Sequence, residues 1–165
     1  MRDYTKVSPS IWSSPRFLGL KSDEARLLML YIVTNKHQTS AGVYALPEGY
    51  ARVDLGDWPE AKYRAAFRNI IDAGLIRFDI ETSEVMVERW FRHNPPMSVK
   101  HFVGSIRIID RQIKSEGLRE AAREACEQAW ADVQSARQKE AERSTPNQKV
   151  SPLLRTAQLS SVVRT

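Results

Sequence analysis

The stretch WPEAKYRAAFRNIIDAGLIRFDIETSEVMVERW, residues 58–90, joins two different periodicities. Its first half repeats apolar residues at helical spacing from about residue 59 to 73, and Gly74 follows as a residue that commonly ends helices. Its second half alternates apolar and polar residues, then passes through the polar turn ETSE at 81–84 into VMVERWF. Alternation on both sides of a polar turn predicts a β-hairpin. A helix therefore leads directly into a hairpin.

The residues before this stretch predict a helix, a strand and a short second helix. Ser22 can cap a helix that runs to about Asn35. Its apolar side chains cover most of its circumference, so we expect it to be central and buried. VYALP at 43–47 is typical of a strand, and PEGYARVDL at 47–55 of a short helix that stops at Gly56. The predicted order is helix, strand, short helix, turn, helix and hairpin.

Two further helices are predicted after the hairpin. Pro95 and Pro96 break the chain, and Ser98 can cap a helix from about 99 to 115. After Gly117, a long Ala-, Glu- and Arg-rich helix is expected to run from 118 to 143. The Ser- and Thr-rich remainder is typical of a flexible tail. We expect an α+β fold, mainly α, divided into a domain at 1–97, a helical extension at 98–143 and a tail at 144–165.

Charge and composition restrict the function classes. The 165-residue chain has a net charge of +5 and an isoelectric point of about 9.5, which favours an anionic partner only weakly. Most of the excess lies in residues 98–165, which hold 12 Lys and Arg against 8 Asp and Glu. A single cysteine, Cys126, excludes an intramolecular disulfide. No secretory signal and no membrane-spanning run are found, so we expect a cytoplasmic protein without a membrane partner.

The helix at 59–73 carries the first candidate DNA-binding surface. A helical wheel of about 100° per residue places Tyr63, Ala66, Phe67, Ile70 and Ile71 toward the core. The outward side holds small residues and four candidate contacts: Lys62, Arg64, Arg68 and Asn69. Arginine can pair with guanine and asparagine with adenine in the major groove. The alternative is an ordinary solvated helix face, which also carries Lys and Arg.

The helix after Ser98 carries a second basic surface. Its candidate contacts follow one another at i, i+7, i+11 and i+14, which is one helix face: Lys100, Arg107, Arg111 and Lys114. Such a row of like charges suggests an anionic partner. The alternative is a solvated face whose opposite side packs on the core or on a second subunit.

The long C-terminal helix has a narrow, alanine-rich apolar seam. It could serve a replication protein or self-association, or it could be a single solvated helix held by Glu–Arg pairs. Trp130 is the large apolar residue of its second half. An exposed Trp130 would indicate a partner contact, and a packed Trp130 would not.

No catalytic or cofactor-binding constellation is found in the sequence. His37, His93 and His101 are scattered, with no acidic or Cys partner at metal-ligand spacing. The glycines are dispersed and form no phosphate loop. We therefore expect a non-catalytic protein without a metal or another cofactor.

Three stretches resemble a known family: LKSDEARLLMLYIVTN, ALPEGYARVDLGDWPEAKYRAAFRNIIDAGLIRFD and ERWFRHNPPMSVKHFVGSIRIIDR. They are similar to the winged-helix region of replisome-organiser-like replication-initiation proteins of bacteriophages and prophages. The similarity covers roughly residues 7–115. It implies a winged helix-turn-helix that binds double-stranded DNA through the helix at 59–73 and acts in phage DNA replication or its control.

Two other functions stay open at this point. A transcriptional regulator could use the same module on an operator. A protein-interaction adaptor, loading a helicase or blocking a host factor, could have a winged helix that no longer binds DNA. The expected wing favours the adaptor, because Asp79, Glu81 and Glu84 would repel phosphates.

Overall fold

The computed structural model describes residues 5–144, which form an α+β, mainly helical fold. A 3₁₀ helix at Pro9–Ser13 precedes the regular elements. The α-helices are α1 (Pro15–Leu18), α2 (Asp23–Thr34), α3 (Glu48–Asp54), α4 (Glu60–Asp72), α5 (Trp90–His93), α6 (Val99–Gln112) and α7 (Glu116–Ser144). The strands are β1 (Val43–Ala45), β2 (Ile76–Asp79) and β3 (Glu84–Val87). The predicted order of elements between residues 22 and 87 is confirmed.

Local capping chemistry sets the ends of the main helices. The Ser22 hydroxyl accepts the Ala25 N–H at 3.1 Å at the start of α2. The Ser98 hydroxyl does the same for His101 at 3.1 Å at the start of α6. Gly74, with φ of +63°, follows the end of α4. The two predicted serine caps and the predicted glycine stop are confirmed, because each depends on residues close in the chain.

The three strands form one antiparallel sheet in the order β1–β3–β2. Tyr44 of β1 and Phe78 of β2 both pair with Val85 of the central strand. All four residues of β3 are buried, so the alternation predicted on that side of the hairpin is wrong. A central strand that is covered on both faces does not need an exposed polar face.

One apolar cluster joins the sheet to helices from both ends of the described chain. α2 contributes Ala25, Leu28 and Ile32, which are fully buried, as expected for a central helix. The same cluster includes residues that follow the hairpin: Ile109, Ile113, Leu118, Ala122 and Cys126. The helices after residue 98 therefore share the core of the sheet. Burial raises the pKa of the Cys126 thiol to about 11, so this cysteine is a packing residue.

The junction of the last two helices differs from the prediction. α6 ends at Gln112 instead of residue 115, and α7 begins at Glu116 instead of after Gly117. Ile113 is buried in an extended conformation, and the Ser115 hydroxyl accepts the Leu118 N–H at 3.4 Å. The break is therefore set by a buried anchor and a serine cap, which the glycine-based prediction overlooked.

Trp130 packs within the fold. Its ring stacks on Phe102 of α6, with ring centroids 5.4 Å apart and an interplanar angle of 12°. Of the two alternatives for this residue, the packed one is confirmed. The alternative of a solvated α7 held by Glu–Arg pairs is supported by the ion pair between Arg123 and Glu127 at 3.0 Å.

Residues 5–134 lie in one compact unit, and residue 135 begins a second. The described part of the second unit is the end of α7, whose side chains are exposed from 135 to 143. The predicted tail lies outside the described residues from 145 onward, and Ser144 still belongs to α7. The predicted division at residue 97 stays a prediction. In the described range, no helix combines the length and apolar character needed to cross a bilayer.

Candidate nucleic-acid interface

Helix α4 is fixed by the apolar face that the sequence predicted. Tyr63 and Phe67 stack with ring centroids 5.4 Å apart, and Phe67 meets Phe78 of β2 edge-on at 4.9 Å. Ala66 and Ile70 are also buried. Ile71 was expected in the core but is 38% exposed, since it lies at the edge of the buried face. The opposite side of α4 is therefore turned to solvent, as predicted.

A tight turn holds α3 next to α4. Gly56 and Asp57 both adopt positive φ angles, +83° and +55°, which reverse the chain within a few residues. Across this turn the Arg52 side chain donates its Nε hydrogen to the Trp58 carbonyl at 2.8 Å. Trp58 is buried, and Lys62 lies 4.4 Å from the centre of its ring. The bond from Arg52 to Trp58 therefore joins α3 to the segment that leads into α4.

The four candidate contacts on α4 have different surroundings. Arg64 pairs with two carboxylates, Glu60 at 2.6 Å and Glu48 at 3.0 Å, which raise its pKa. Lys62 pairs with Glu24 at 3.8 Å. Arg68 is exposed and has no hydrogen-bond or ion-pair partner within residues 5–144. These pairings leave Arg68 as the cation of α4 most available to a phosphate or a base.

Asn69 has a structural contact that the sequence did not predict. Its Oδ1 accepts the backbone N–H of Lys21 at 2.8 Å, which fixes the segment before α2 against α4. Asn69 would have to give up this bond to pair with adenine in the expected bidentate manner. Its proposed base-reading role therefore stays a prediction with a competing contact.

Two further cations, Lys21 and Arg16, lie beside α4. Lys21 lines a shallow depression with Arg68 and Asn69, and its side chain is exposed. Arg16 reaches the end of the helix, where its Nη1 donates to the Gly74 carbonyl at 3.0 Å. Sequence reasoning missed both residues, because they precede the start of α4 by about forty residues and no local pattern joins them to it. We call Arg16, Lys21 and Arg68 the α4 basic cluster.

The α3–turn–α4 segment itself has no excess of positive charge. Residues 48–72 hold four Lys and Arg and five Asp and Glu, a net charge of −1. Asp54, at the end of α3, accepts the Tyr31 hydroxyl at 2.9 Å and pairs with Lys36 at 3.2 Å, and both contacts lower its pKa. Positive potential near α4 therefore depends on residues that other segments supply.

Three of the four residues predicted to form a basic row on α6 lie on one exposed face of the helix. Lys100, Arg107 and Arg111 are exposed on the side of α6 opposite Ile109, which is fully buried. In the described part of the chain none of the three has a partner. Lys114 was predicted on the same face but lies beyond the end of α6. It is exposed, and its backbone N–H donates to Glu84.

The acidic turn of the hairpin has a structural role. Glu84 was expected in the turn but begins β3, where it is only 2% exposed. Its carboxylate accepts the Ser115 N–H at 2.8 Å and the Lys114 N–H at 2.9 and 3.1 Å. Asp79 accepts the Glu81 N–H at 2.9 Å within the turn. Of the three acids expected to repel phosphates, Glu81 is the one whose side chain faces solvent.

No metal-ligand group is formed by the described His, Cys, Asp and Glu residues. His37 stacks on Tyr50 with ring centroids 5.9 Å apart, and His101 accepts the Met97 N–H through Nδ1 at 3.4 Å. These two histidines thus have local packing or hydrogen-bonding roles.

Comparisons of the chain with protein-family models, curated proteins and solved structures found no match. The function is therefore inferred from the surfaces described above.

Proposed function

We propose that residues 22–87 form a winged helix-turn-helix and that the protein binds double-stranded DNA. The order α2–β1–α3–α4–β2–β3 and the central position of β3 in a three-stranded antiparallel sheet support this proposal. α3, the tight turn and α4 correspond to the helix-turn-helix, and the β2–β3 hairpin to the wing. In this proposal α4 is the recognition helix that enters the major groove.

The observation that carries the proposal is the outward side of α4. Ala61 and Ala65 are exposed and small, so a groove wall can come close to the helix backbone. Arg68 lies on the same side, and Lys21 lies beside it in the same depression. In this proposal the small residues allow α4 to enter the groove. The α4 basic cluster contacts the phosphates along the edge of the groove.

The hairpin has a different role in this proposal. Ile80 at its tip is 82% exposed, and Glu81 beside it is exposed and acidic. Neither side chain can neutralise a phosphate. Phosphate contacts are therefore assigned to the α4 basic cluster and not to the wing.

A role in phage DNA replication or its control rests on the sequence resemblance. A chain that binds DNA without catalytic groups would act by marking an origin or by recruiting replication proteins. An operator-binding regulator would use the same α4 surface, and a palindromic footprint of a dimer would distinguish it.

The test is fluorescence anisotropy with a labelled duplex of about 25 base pairs, in about 50 mM salt, where phosphate contacts are strong. Arg68→Ala should weaken binding more than Arg64→Ala, because Arg64 must leave two carboxylates before it can reach DNA. We expect a loss of about three- to tenfold for Arg68→Ala and less than twofold for Arg64→Ala. Equal, negligible effects of both substitutions would contradict the assignment of α4 as the recognition helix.

A second candidate function, the protein-interaction adaptor, is favoured by the charge balance of the α3–turn–α4 segment. Its four cations are outnumbered by five acids, and Lys62, Arg64 and Arg52 all form ion pairs. A surface of paired charges with exposed Tyr50 and Val53 suits a protein partner better than a polyanion. Wild-type protein that fails to bind the duplex in low salt would favour the adaptor.

A further inference from the structure

The outward face of α6 combines unpartnered cations with an unexplained glycine. Lys100, Gly104, Arg107 and Arg111 follow at i, i+4, i+7 and i+11, so they form one row on the helix. The row lies opposite Ile109, which is buried against the core. We call these four residues the α6 row.

No charge compensation is found in the α6 row. The acid of α6 is Asp110, and Arg123 of α7 holds it with two bonds of 2.7 and 2.8 Å. The contrast with α4 is direct, because Arg64 has two carboxylate partners and the α6 cations have none within the described residues. Three uncompensated cations on one helix face repel one another unless an anion binds between them.

Gly104 is a second and independent observation. Glycine within a helix costs stability relative to alanine. A Cβ at Gly104 would meet nothing within 4 Å, so no part of the described fold requires a glycine there. Gly104 therefore leaves a notch between Lys100 and Arg107 that an external group can enter.

We propose that the α6 row binds the sugar–phosphate backbone of DNA, with a strand seated over Gly104. Arg107 and Arg111 are about 6 Å apart along the helix axis, and Lys100 and Arg107 about 10 Å. Long Lys and Arg side chains at these spacings can reach separate phosphates of one strand. The proposal rests on the proposed DNA-binding function and adds a second contact surface, on a helix outside the winged helix-turn-helix.

Duplex DNA suits the α6 row better than an anionic membrane does. An interfacial helix inserts large apolar side chains between its cations. The large apolar side chains at the centre of α6, such as Ile109, are turned to the core, and the exposed Val99 and Val103 lie on one flank of the row. The outward face offers cations around a bare backbone, which is the composition of a phosphate contact.

The test compares two variants of the full chain by anisotropy with the duplex between about 50 mM and about 200 mM salt. The first variant replaces Lys100, Arg107 and Arg111 with Gln. The second is Gly104→Leu, which keeps every charge but fills the notch. The matched control replaces three α7 cations, Arg137, Lys139 and Arg143, with Gln and removes the same total charge.

We expect the triple α6 variant to lose about tenfold or more in affinity, and its log–log salt slope to fall by about 2 to 3. Gly104→Leu should weaken binding several-fold while its melting temperature stays equal to that of the wild type or rises, since leucine favours a helix more than glycine does. The α7 control should lose less than the α6 variant. Equal losses in the α6 variant and the α7 control would overturn the proposal.

The remaining outcomes separate the inference from the proposed function. Full binding by both α6 variants, together with a loss in Arg68→Ala, would overturn the α6 row and leave the α4 interface intact. Loss in the α6 variants without loss in Arg68→Ala would support the α6 row and contradict the recognition role of α4. Wild-type binding to vesicles of phosphatidylglycerol, without binding to duplex, would overturn both.

Discussion

Gly42 occupies a position that no other residue fits. Its φ angle is +69°, and a Cβ there would lie 2.2 Å from Cγ of Trp90. The Trp90 ring is held in this place, because its Nε1 donates to the Ser40 carbonyl at 2.9 Å. One glycine therefore lets β1, which begins at Val43, approach the short helix that follows the hairpin.

Gly42→Ala is expected to lower the free energy of unfolding by about 2–4 kcal/mol, since it combines a steric clash with an unfavourable backbone conformation. Urea unfolding followed by circular dichroism measures the change. Gly49→Ala in α3 is the matched control, because a Cβ there meets nothing within 4 Å. A control that is as destabilised as Gly42→Ala would contradict the close-approach explanation.

Individual residues also show where sequence reasoning reached its limit at the candidate site. The helical wheel identified the exposed side of α4 correctly, because exposure follows from local periodicity. It could not identify the partners of that side. Glu48 lies 16 residues from Arg64, and Lys21 lies 48 residues from Asn69. Pairing over such separations depends on the tertiary fold.

At the scale of elements, hydrogen bonds connect the hairpin to the α6–α7 junction. Glu84 accepts the backbone N–H groups of Lys114 and Ser115, and Asp79 at the other end of the turn accepts those of Glu81 and Thr82. The start of β3 is thereby tied to the residues just before α7. Glu84, one of the acids expected to repel phosphates, instead connects the hairpin to the α6–α7 junction.

The lowered pKa of Asp79 in the hairpin turn predicts a pH dependence of stability. The Ser115 hydroxyl, with the backbone N–H groups of Thr82 and Glu81, holds the pKa of Asp79 below its ordinary value of 3.8. A carboxylate with a depressed pKa stabilises the fold above its unfolded pKa and loses that contribution as the pH falls through the folded pKa. The free energy of unfolding should therefore decrease below about pH 4.

Asp79→Asn should remove this contribution, so its stability deficit relative to wild type should shrink as the pH falls below about 4. Urea unfolding at a series of pH values measures the deficit. In a Ser115→Ala background the deficit should depend less on pH, because the hydroxyl group that contributes most to the lowered pKa of Asp79 is gone. A deficit that is constant from neutral pH to about pH 3 would contradict this role for Asp79.

Whether an element could be predicted depended on whether its sequence signal is local or distant in the chain. Helices α2, α4 and α6 were predicted from capping serines, a terminal glycine and apolar periodicity, which are all local. The burial of β3 on both faces and the end of α6 at Gln112 were not predicted. The start of β3 and the segment after α6 are joined by the bonds of Lys114 and Ser115 to Glu84, which lies about thirty residues away in the chain.

At the scale of the molecule, one core supports two cationic surfaces. The α4 basic cluster is assembled from the N-terminal segment and α4, and the α6 row belongs to a helix that shares the core through Ile109. α7 contributes Leu118, Ala122 and Cys126 to the same core. The residues at the start of α7 are therefore needed for the fold, and a truncation that removes them would expose the core around Ile109 and Ile113.

The claim that α4 binds duplex DNA is tested most directly by amide NMR of ¹⁵N-labelled full-length protein. An unlabelled duplex of about 25 base pairs is added in about 50 mM salt. Shift changes should concentrate at the outward residues of α4, above all Ala61, Ala65 and Arg68, and at Lys21 before α2. Spectra that do not change, or changes confined to residues 135–143 of α7, would contradict the claim.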